Sequence, residues 1–210
     1  MYEEQLLHGW LDLGLSKMKN AELFLNKYII VRKFIDVDWA NELSREFDEY
    51  IEENPYGDQL DFGYVDKQSN CPTVHNFLPF LELLCYKTYE VSNLVGEKVL
   101  PTYCFGRRYI TKSTLPAHSD RNACEISLTV RLGGGEPWAF NVYDENIKIK
   151  ETIDLEVGDA VLYLGCQIIH GRQSYKGTKH YNQVFLHYVM SRGPNSDYYF
   201  EKMKRVKIES

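Results

Sequence analysis

The sequence predicts an α+β protein whose helices precede an antiparallel β-sandwich or barrel. Apolar residues recur at helical spacing in two stretches of the first hundred residues. From Val99 onward, β-rich runs follow one another with turn sequences between them and no helical pattern. The lack of helical crossovers favours an antiparallel β-core over a parallel sheet, and we expect the helices to pack on one face of it. The 16 Tyr and 10 Phe residues also favour strands.

The chain has the size of a single domain. Its 210 residues, of which 44% are hydrophobic, can bury one sizeable core. Neither an internal repeat nor a low-complexity linker divides it. We therefore predict one domain over 1–210, made of a mainly helical supporting region (1–98), a β-rich core (99–190) and a polar C-terminal tail (191–210).

The N-terminal region is predicted to contain a strand between helices. The first fifteen residues form a short helix, and "KYIIVRKFI" (27–35) forms a strand. Asp36 or Asp38 then caps a helix that continues to Ile51, because a short acidic side chain satisfies the first free amide groups. The apolar face of this helix consists of Trp39, Leu43, Phe47, Tyr50 and Ile51.

A second long helix is predicted over 75–97, after the turn-rich stretch "NPYGDQLDFGYVDKQSNCP". Pro79 falls in its first turns, where proline is tolerated best. Its inward side chains are Phe77, Leu81, Leu84, Val91 and Leu94.

Six β-like runs follow, separated by glycine-rich or polar turns such as Gly133–Gly135 and Gly158–Asp159. Six to eight short strands at this spacing are typical of a sandwich or barrel. The runs are "VLPTYCFGRRYITK", "ACEISLTVRL", "PWAFNVYD", "IKIKETIDL", "DAVLYLG" and "KHYNQVFLHYVM".

Composition excludes several classes of protein. The net charge of −6 argues against a nucleic-acid binder, and the short basic run at the C-terminus is read as a solvated tail. The five cysteines are scattered and odd in number, which favours a reducing compartment over a disulfide scaffold. The acidic N-terminus is unlike a signal peptide, and no run approaches the length of a membrane span. We expect a cytoplasmic protein without membrane contact.

The stretch "PAHSD" places His118 and Asp120 two residues apart, at the end of a predicted strand. Residues at this spacing point the same way, so the pair can supply two ligands to one ion. Two imidazoles and one carboxylate are the ligand set of non-haem Fe(II) centres, which leave further coordination positions open. The residues alone leave the second histidine undecided among His75, His170, His180 and His187. We read His75 as a surface or capping residue, His187 as a core histidine and His180 as facing away, whereas His170 ends an apolar strand.

The segment 99–190 resembles the double-stranded β-helix, or jelly roll, of the Fe(II)/2-oxoglutarate-dependent oxygenases, in particular the prolyl-4-hydroxylase-like branch. The matching pieces are "RRYITKSTLPAHSD", "EISLTVRL", "LEVGDAVLYLGCQIIHGR" and "YKGTKHYNQVFLHYV". The resemblance implies that His118, Asp120 and His170 are the iron ligands and the catalytic centre. It also implies 2-oxoglutarate and O2 as co-substrates, and it allows ascorbate as an accessory reductant.

The far carboxylate of 2-oxoglutarate needs a cation, because a buried charge is unfavourable without a partner. By the resemblance this partner is Lys179, nine positions after His170, with Tyr109 as a further contact. Arg172 is the rival, and its place next to His170 predicts a position at the rim, nearer the substrate. Arg107 and Arg131 are further candidates, although we expect Arg131 to be a surface strand residue.

The leading hypothesis is thus an oxygenase that couples decarboxylation of 2-oxoglutarate to succinate with hydroxylation of a peptidyl residue or small molecule. A cupin-like binding module without oxygenase activity is the alternative, because fold does not fix function. A zinc hydrolase is a third reading, which lacks an evident general base. The prime substrate and the oligomeric state are not encoded in any motif.

Overall fold

The structure is a computed structural model that describes residues 20–54 and 63–201. The helix predicted over the first fifteen residues and the end of the basic tail lie outside these ranges. Within them the predicted mixture of helices and antiparallel strands is confirmed. All five cysteines are free thiols. None of the helices in the described ranges is long and apolar enough to cross a membrane.

Eleven strands of the described chain form two antiparallel sheets. The major sheet has seven strands in the order β1-β9-β6-β11-β4-β3-β2, and the minor sheet has four in the order β5-β10-β7-β8. The two sheets contact each other through the inward side chains, as the rings of Phe140 (β7) and Tyr163 (β9) show, 5.3 Å apart. The strands are β1 Tyr28–Val31, β2 Gly63–Asp66, β3 Cys71–His75, β4 Val99–Tyr109, β5 Leu115–His118, β6 Ile126–Gly134, β7 Phe140–Tyr143, β8 Ile149–Ile153, β9 Ala160–Leu164, β10 Ile169–Arg172 and β11 Tyr181–Met190.

Two long helices, α1 (Val37–Glu53) and α2 (Leu78–Val95), follow their predicted signals closely, and residues 20–26 are also helical. Asp36 is the N-cap of α1, and its carboxylate accepts the Trp39 amide at 2.8 Å. Pro79 lies at the start of α2, and Gly96 ends that helix in the left-handed conformation at φ 77°.

Both helices pack on the outer face of the major sheet. The apolar residues of β6, namely Ile126, Leu128, Val130 and Leu132, join the helices in the largest buried cluster. Gly106 on β4 permits close contact, since a Cβ there would lie 2.6 Å from the Phe80 ring. The helices thus cover one face of the sheet, and the other face is left to line the space between the two sheets.

Three local predictions were wrong. The turn-rich stretch contains the hairpin β2–β3, and β3 ends at His75, so α2 starts only at Leu78. The apolar run that ends at His170 is two strands, because a turn after Leu164 carries the chain from the major sheet to the minor one. β5 ends at His118, so Asp120 lies in the loop that follows the strand.

Candidate metal centre

Two neighbouring strands of the minor sheet place His118 and His170 side by side. They are paired residues of β5 and β10, and their rings lie 4.5 Å apart. Asp120 follows two residues after His118, and its amide donates to the Gly165 carbonyl at 2.9 Å. This bond ties the loop after β5 to the turn after β9, which brings the Asp120 carboxylate beneath the two imidazoles.

The three side chains form a compact donor group. Asp120 Oδ1 lies 3.4 Å from His118 Nε2 and 3.7 Å from His170 Nε2. One ligand atom from each residue lies within 4.8 Å of the other two, so one ion can contact all three. The His170 side chain is 1% exposed and that of His118 is 41% exposed, so solvent reaches the group from the His118 side.

Hydrogen bonding leaves ring nitrogens available for an ion. His118 Nδ1 lies 2.7 Å from the Pro116 carbonyl, which can only accept, so Nδ1 carries the proton of the neutral ring and Nε2 keeps its lone pair. Among the described residues, His170 Nε2 is buried with no hydrogen-bond partner. An unpaired buried polar atom costs stability, which is the pattern expected where an absent ligand completes the bonding.

The electrostatics of the three groups suit cation binding. Burial favours the neutral form of His170 and lowers its pKa to about 4. Burial acts to raise the pKa of Asp120, but the bond to His118 and the neighbouring His170 and His187 rings outweigh it and lower that pKa to about 2. Burial acts to lower the pKa of His118, but the hydrogen bond to the Asp120 carboxylate outweighs it, so the pKa of His118 rises above its ordinary value. At neutral pH the site therefore holds a carboxylate and a neutral His170.

A cavity of about 150 Å³ lies beside this group, between the two sheets. Its walls are formed by the inward faces of β4 and β11, with Phe105, Arg107 and Phe185 among the lining residues. Tyr163 of β9 adds a ring 4.6 Å from that of His170. Aromatic rings thus form part of the wall around the donor group, together with the polar side chains of Arg107 and His187.

Arg172 points into the space between the sheets, and the prediction that it lies at the rim was wrong. It follows His170 by two residues on β10, so both side chains share the inward face, and Arg172 is 2% exposed. The guanidinium lies 5.0 Å from the Trp138 ring, and its Nη1 donates a hydrogen bond to the Trp138 carbonyl. Within the described part of the chain, Arg172 Nε and Nη2 and the Tyr109 hydroxyl are buried without partners.

Lys179 lies elsewhere. It is exposed and precedes β11, which starts at Tyr181. The inward face of β11 begins with Tyr181, Gln183 and Phe185, so the structure does not bring Lys179 into the cavity.

Arg107 and Arg131, the two further candidates for the co-substrate's carboxylate, both face inward. Arg131 is 5% exposed and donates to the Leu155 and Gly135 carbonyls, so its expected surface position was wrong. Arg107 lines the cavity and pairs with Asp66 at 2.9 Å.

The remaining histidines have other surroundings. His180 contacts Asp48 of α1 at 2.9 Å, on the helix side of the sheet. His75 packs against the Phe105 ring at 4.3 Å at the end of β3, so its reading as a capping residue was wrong. His187 is buried, as expected of a core histidine, but it lies in the cavity wall and contacts Ser127. Ser127 was missed, although the alternation in "ISLTVRL" marks it, Thr129 and Arg131 as one polar face.

Comparison with known proteins identifies solved structures that share the fold of this chain. No protein-family model and no curated protein matches the sequence. SnoN, a non-haem alpha-ketoglutarate-dependent epimerase from nogalamycin biosynthesis, superposes with a TM-score of 0.70 at 11% identity, over 85% of this chain and 84% of its own. A Pseudomonas putida prolyl-4-hydroxylase gives 0.64 at 12% identity, over 85% of this chain and 100% of its own. HygX from Streptomyces hygroscopicus, solved with nickel and 2-oxoglutarate, gives 0.61 at 10% identity, over 79% and 83%. At these identities the likeness establishes a shared fold.

Proposed function

We propose that the chain is a non-haem Fe(II)- and 2-oxoglutarate-dependent oxygenase that hydroxylates a peptidyl residue or a small molecule. The catalytic core is the double-stranded β-helix, or jelly roll, over 99–190. One observation carries the proposal: two imidazoles and one carboxylate converge, and two residues after His170 on the same strand lies Arg172, a buried arginine whose guanidinium is only partly hydrogen-bonded in the described chain.

The residues present fit the metal. His118, Asp120 and His170 are the ligands, and they provide the two nitrogen donors and one oxygen donor that Fe(II) oxygenases use. His170 Nε2, which is buried without a partner among the described residues, supports this assignment. When bound, iron with 2-oxoglutarate supplies the activation of O2, and the co-substrate leaves as succinate and CO2. The chain itself supplies the ligand geometry, the co-substrate anchor and a pocket with little water.

Arg172 is assigned to the far carboxylate of 2-oxoglutarate, with the Tyr109 hydroxyl as a second donor. A guanidinium offers a carboxylate two parallel hydrogen bonds, and Nε and Nη2 are the two nitrogens that have no partner in the described part of the chain. Arg172 lies on the same strand as His170, so a co-substrate bound to the metal can extend along β10 toward it. Phe140 and Tyr163, which flank His170, help to keep water out of this space.

The structural neighbours support the proposal and do not fix the substrate. HygX was solved with nickel and 2-oxoglutarate, one of the others is a prolyl-4-hydroxylase, and SnoN is an epimerase. Peptidyl and small-molecule chemistry therefore occur on one fold. Function must be assigned from the site.

The test is formation of succinate from 2-oxoglutarate by the purified protein with Fe(II), O2 and ascorbate, across a panel of peptides and small molecules. We expect turnover by the wild-type chain and none by Asp120→Ala, because the variant lacks the one anionic ligand. Asp38→Ala, which removes an exposed carboxylate in α1, is the matched control and should keep full activity. Failure to bind either metal or 2-oxoglutarate would sink the oxygenase assignment, and binding without turnover would favour a binding module.

A further inference from the structure

The second oxygen of Asp120 is held by two hydrogen bonds in series. Ser127 Oγ, on β6, lies 2.9 Å from Asp120 Oδ2. His187 Nδ1, on β11, lies 2.9 Å from the same Ser127 Oγ. Ser127 is fully buried and His187 is 5% exposed, so neither group is there to contact solvent.

The Ser127 hydroxyl has two acceptors within reach, because Ser127 Oγ lies 2.9 Å from Asp120 Oδ2 and 3.1 Å from the Cys124 carbonyl oxygen. The charged carboxylate oxygen is the nearer and stronger acceptor, so the Ser127 hydroxyl donates to Asp120 Oδ2. Ser127 has no second proton, so His187 must donate from Nδ1 to Ser127 Oγ. Placing a lone pair on His187 Nδ1 would draw the hydroxyl proton toward it and leave Asp120 Oδ2 without a donor.

We propose that Ser127 and His187 are positioning residues that hold Asp120 with Oδ1 alone turned to the metal. The inference rests on the proposed metal centre and goes beyond its ligand assignment. Asp120 Oδ1 already faces both imidazoles, and the bond from Ser127 keeps Oδ2 on the opposite side. The carboxylate then binds through one oxygen, and the positions that the co-substrates need stay open.

The hydrogen bond from Ser127 also keeps Asp120 away from a second group of potential metal ligands. Asp120, Cys124 and His187 are also three potential ligands whose donor atoms lie within 4.8 Å of one another. A carboxylate free to rotate could turn toward this side, where a buried thiol offers a soft ligand. With Ser127 in place, Oδ2 is already hydrogen-bonded and His187 Nδ1 is committed to the serine.

The experiment compares pairs of variants that differ in one hydrogen bond. Mn²⁺ serves as the probe, and its dissociation constant is measured by electron paramagnetic resonance without 2-oxoglutarate or O2. We expect Ser127→Ala and His187→Leu to bind Mn²⁺ about 10–100-fold more weakly, as is usual when a hydrogen-bond partner of a metal ligand is lost. Ser127→Thr keeps the hydroxyl, and His187→Asn keeps a donor near the Nδ1 position, so both should retain the wild-type constant.

Controls separate positioning from folding and from the rival ligand set. Unfolding midpoints of the metal-free proteins show whether a variant is intact, and a loss restored by threonine or asparagine is not a general packing defect. Cys124→Ser should bind Mn²⁺ as the wild type does. Unchanged affinity in both Ser127→Ala and His187→Leu would overturn the proposal, as would a loss in Cys124→Ser alone. If the wild-type chain binds no Mn²⁺, the proposed metal centre itself is wrong, which is a different result from the loss of a role for Ser127 and His187.

Discussion

At the scale of single residues, the most unusual feature is the buried charge of Arg172. A guanidinium that is 2% exposed has lost nearly all of its hydration, and in the described chain only Nη1 recovers a hydrogen bond, to Trp138. The rings of Trp138, Phe140 and Tyr181 lie 5.0–5.8 Å from it and offset part of that cost. A carboxylate between Arg172 and Tyr109 would satisfy the remaining donors, which is why a co-substrate is expected there.

Replacing Arg172 should therefore uncouple metal binding from co-substrate binding. Removing the partner of a buried carboxylate costs several kcal/mol, and each ~1.4 kcal/mol is a factor of ten. Arg172→Ala should raise the dissociation constant of 2-oxoglutarate about a hundredfold or more, as measured by calorimetry on the Mn²⁺ form. Exposed Lys179 is the matched control, and Lys179→Ala should leave the constant unchanged. The reverse result would restore the assignment to Lys179.

The residues of the site were predictable to different degrees. His118 and Asp120 are visible in a local motif, and the choice of His170 needed the resemblance because the chain contains other plausible histidines. Lys179 was chosen by its spacing from His170, but β11 starts only at Tyr181, and spacing cannot show where a strand begins. Ser127 was missed because its alternating strand is typical of one buried and one solvated face.

At the scale of elements, the turn that leads into β9 is held by one carboxylate. Asp159 Oδ1 accepts the Lys33 amide at 2.9 Å, and Oδ2 accepts the Glu156 amide at 3.0 Å and Arg32 Nη1 at 2.6 Å. Gly158 takes φ 87°, and a Cβ there would lie 2.3 Å from the Ile35 carbonyl. The turn predicted at Gly158–Asp159 thus also joins the segment after β1 to the turn before β9.

Asp159→Asn should lower stability in a way that depends on pH. Burial acts to raise the pKa of Asp159, but the Lys33 amide and Arg32 outweigh it and hold the pKa below its ordinary value. A lowered folded-state pKa means that the stabilisation is complete above the unfolded value of about 3.9 and is lost as pH falls through the folded value. We expect Asp159→Asn to cost about 1–3 kcal/mol at pH 7 in urea unfolding, because charge-assisted bonds are lost. The difference in unfolding free energy between the wild type and Asp159→Asn should become smaller below about pH 4. A difference that does not change with pH would show that the carboxylate charge is not the cause.

Elements with strong local signals were predicted well. The Asp36 carboxylate caps α1 through a local hydrogen bond, Pro79 and Gly96 mark the two ends of α2, and the periodicity of apolar residues indicates the buried face of each helix. The β2–β3 hairpin is short, and β9 and β10 belong to one apolar run in the sequence. Whether such a run continues or changes sheet depends on distant partners, so local pattern cannot decide it.

At the scale of the whole molecule, the major sheet is buried on both faces for different reasons. The outer face of β11 packs on the helices, where the Tyr188 hydroxyl donates to the Leu84 carbonyl at 2.8 Å and Asn182 contacts Ser44 at 3.0 Å. The inner face carries Gln183, Phe185 and His187 toward the minor sheet. The outer face supplies most of the apolar core, whereas most of the buried polar atoms that lack a partner in the described chain lie on the inner side.

Ligands that complete the inner face should stabilise the whole fold stepwise. Mn²⁺ would join β5, the loop after it and β10, and 2-oxoglutarate would then satisfy Arg172, so each binds the folded chain and not the unfolded one. A ligand at a hundred times its dissociation constant adds about 2.7 kcal/mol, which for a chain of this size raises the unfolding midpoint by roughly 5–10 °C. Scanning calorimetry should show such a rise with Mn²⁺, a further rise when 2-oxoglutarate is added, and little effect of 2-oxoglutarate alone. Arg172→Ala should keep the first increment and lose the second, and Asp120→Ala should lose both. An equal response of the Asp120→Ala protein would mean that Mn²⁺ stabilises the chain from a site other than this one.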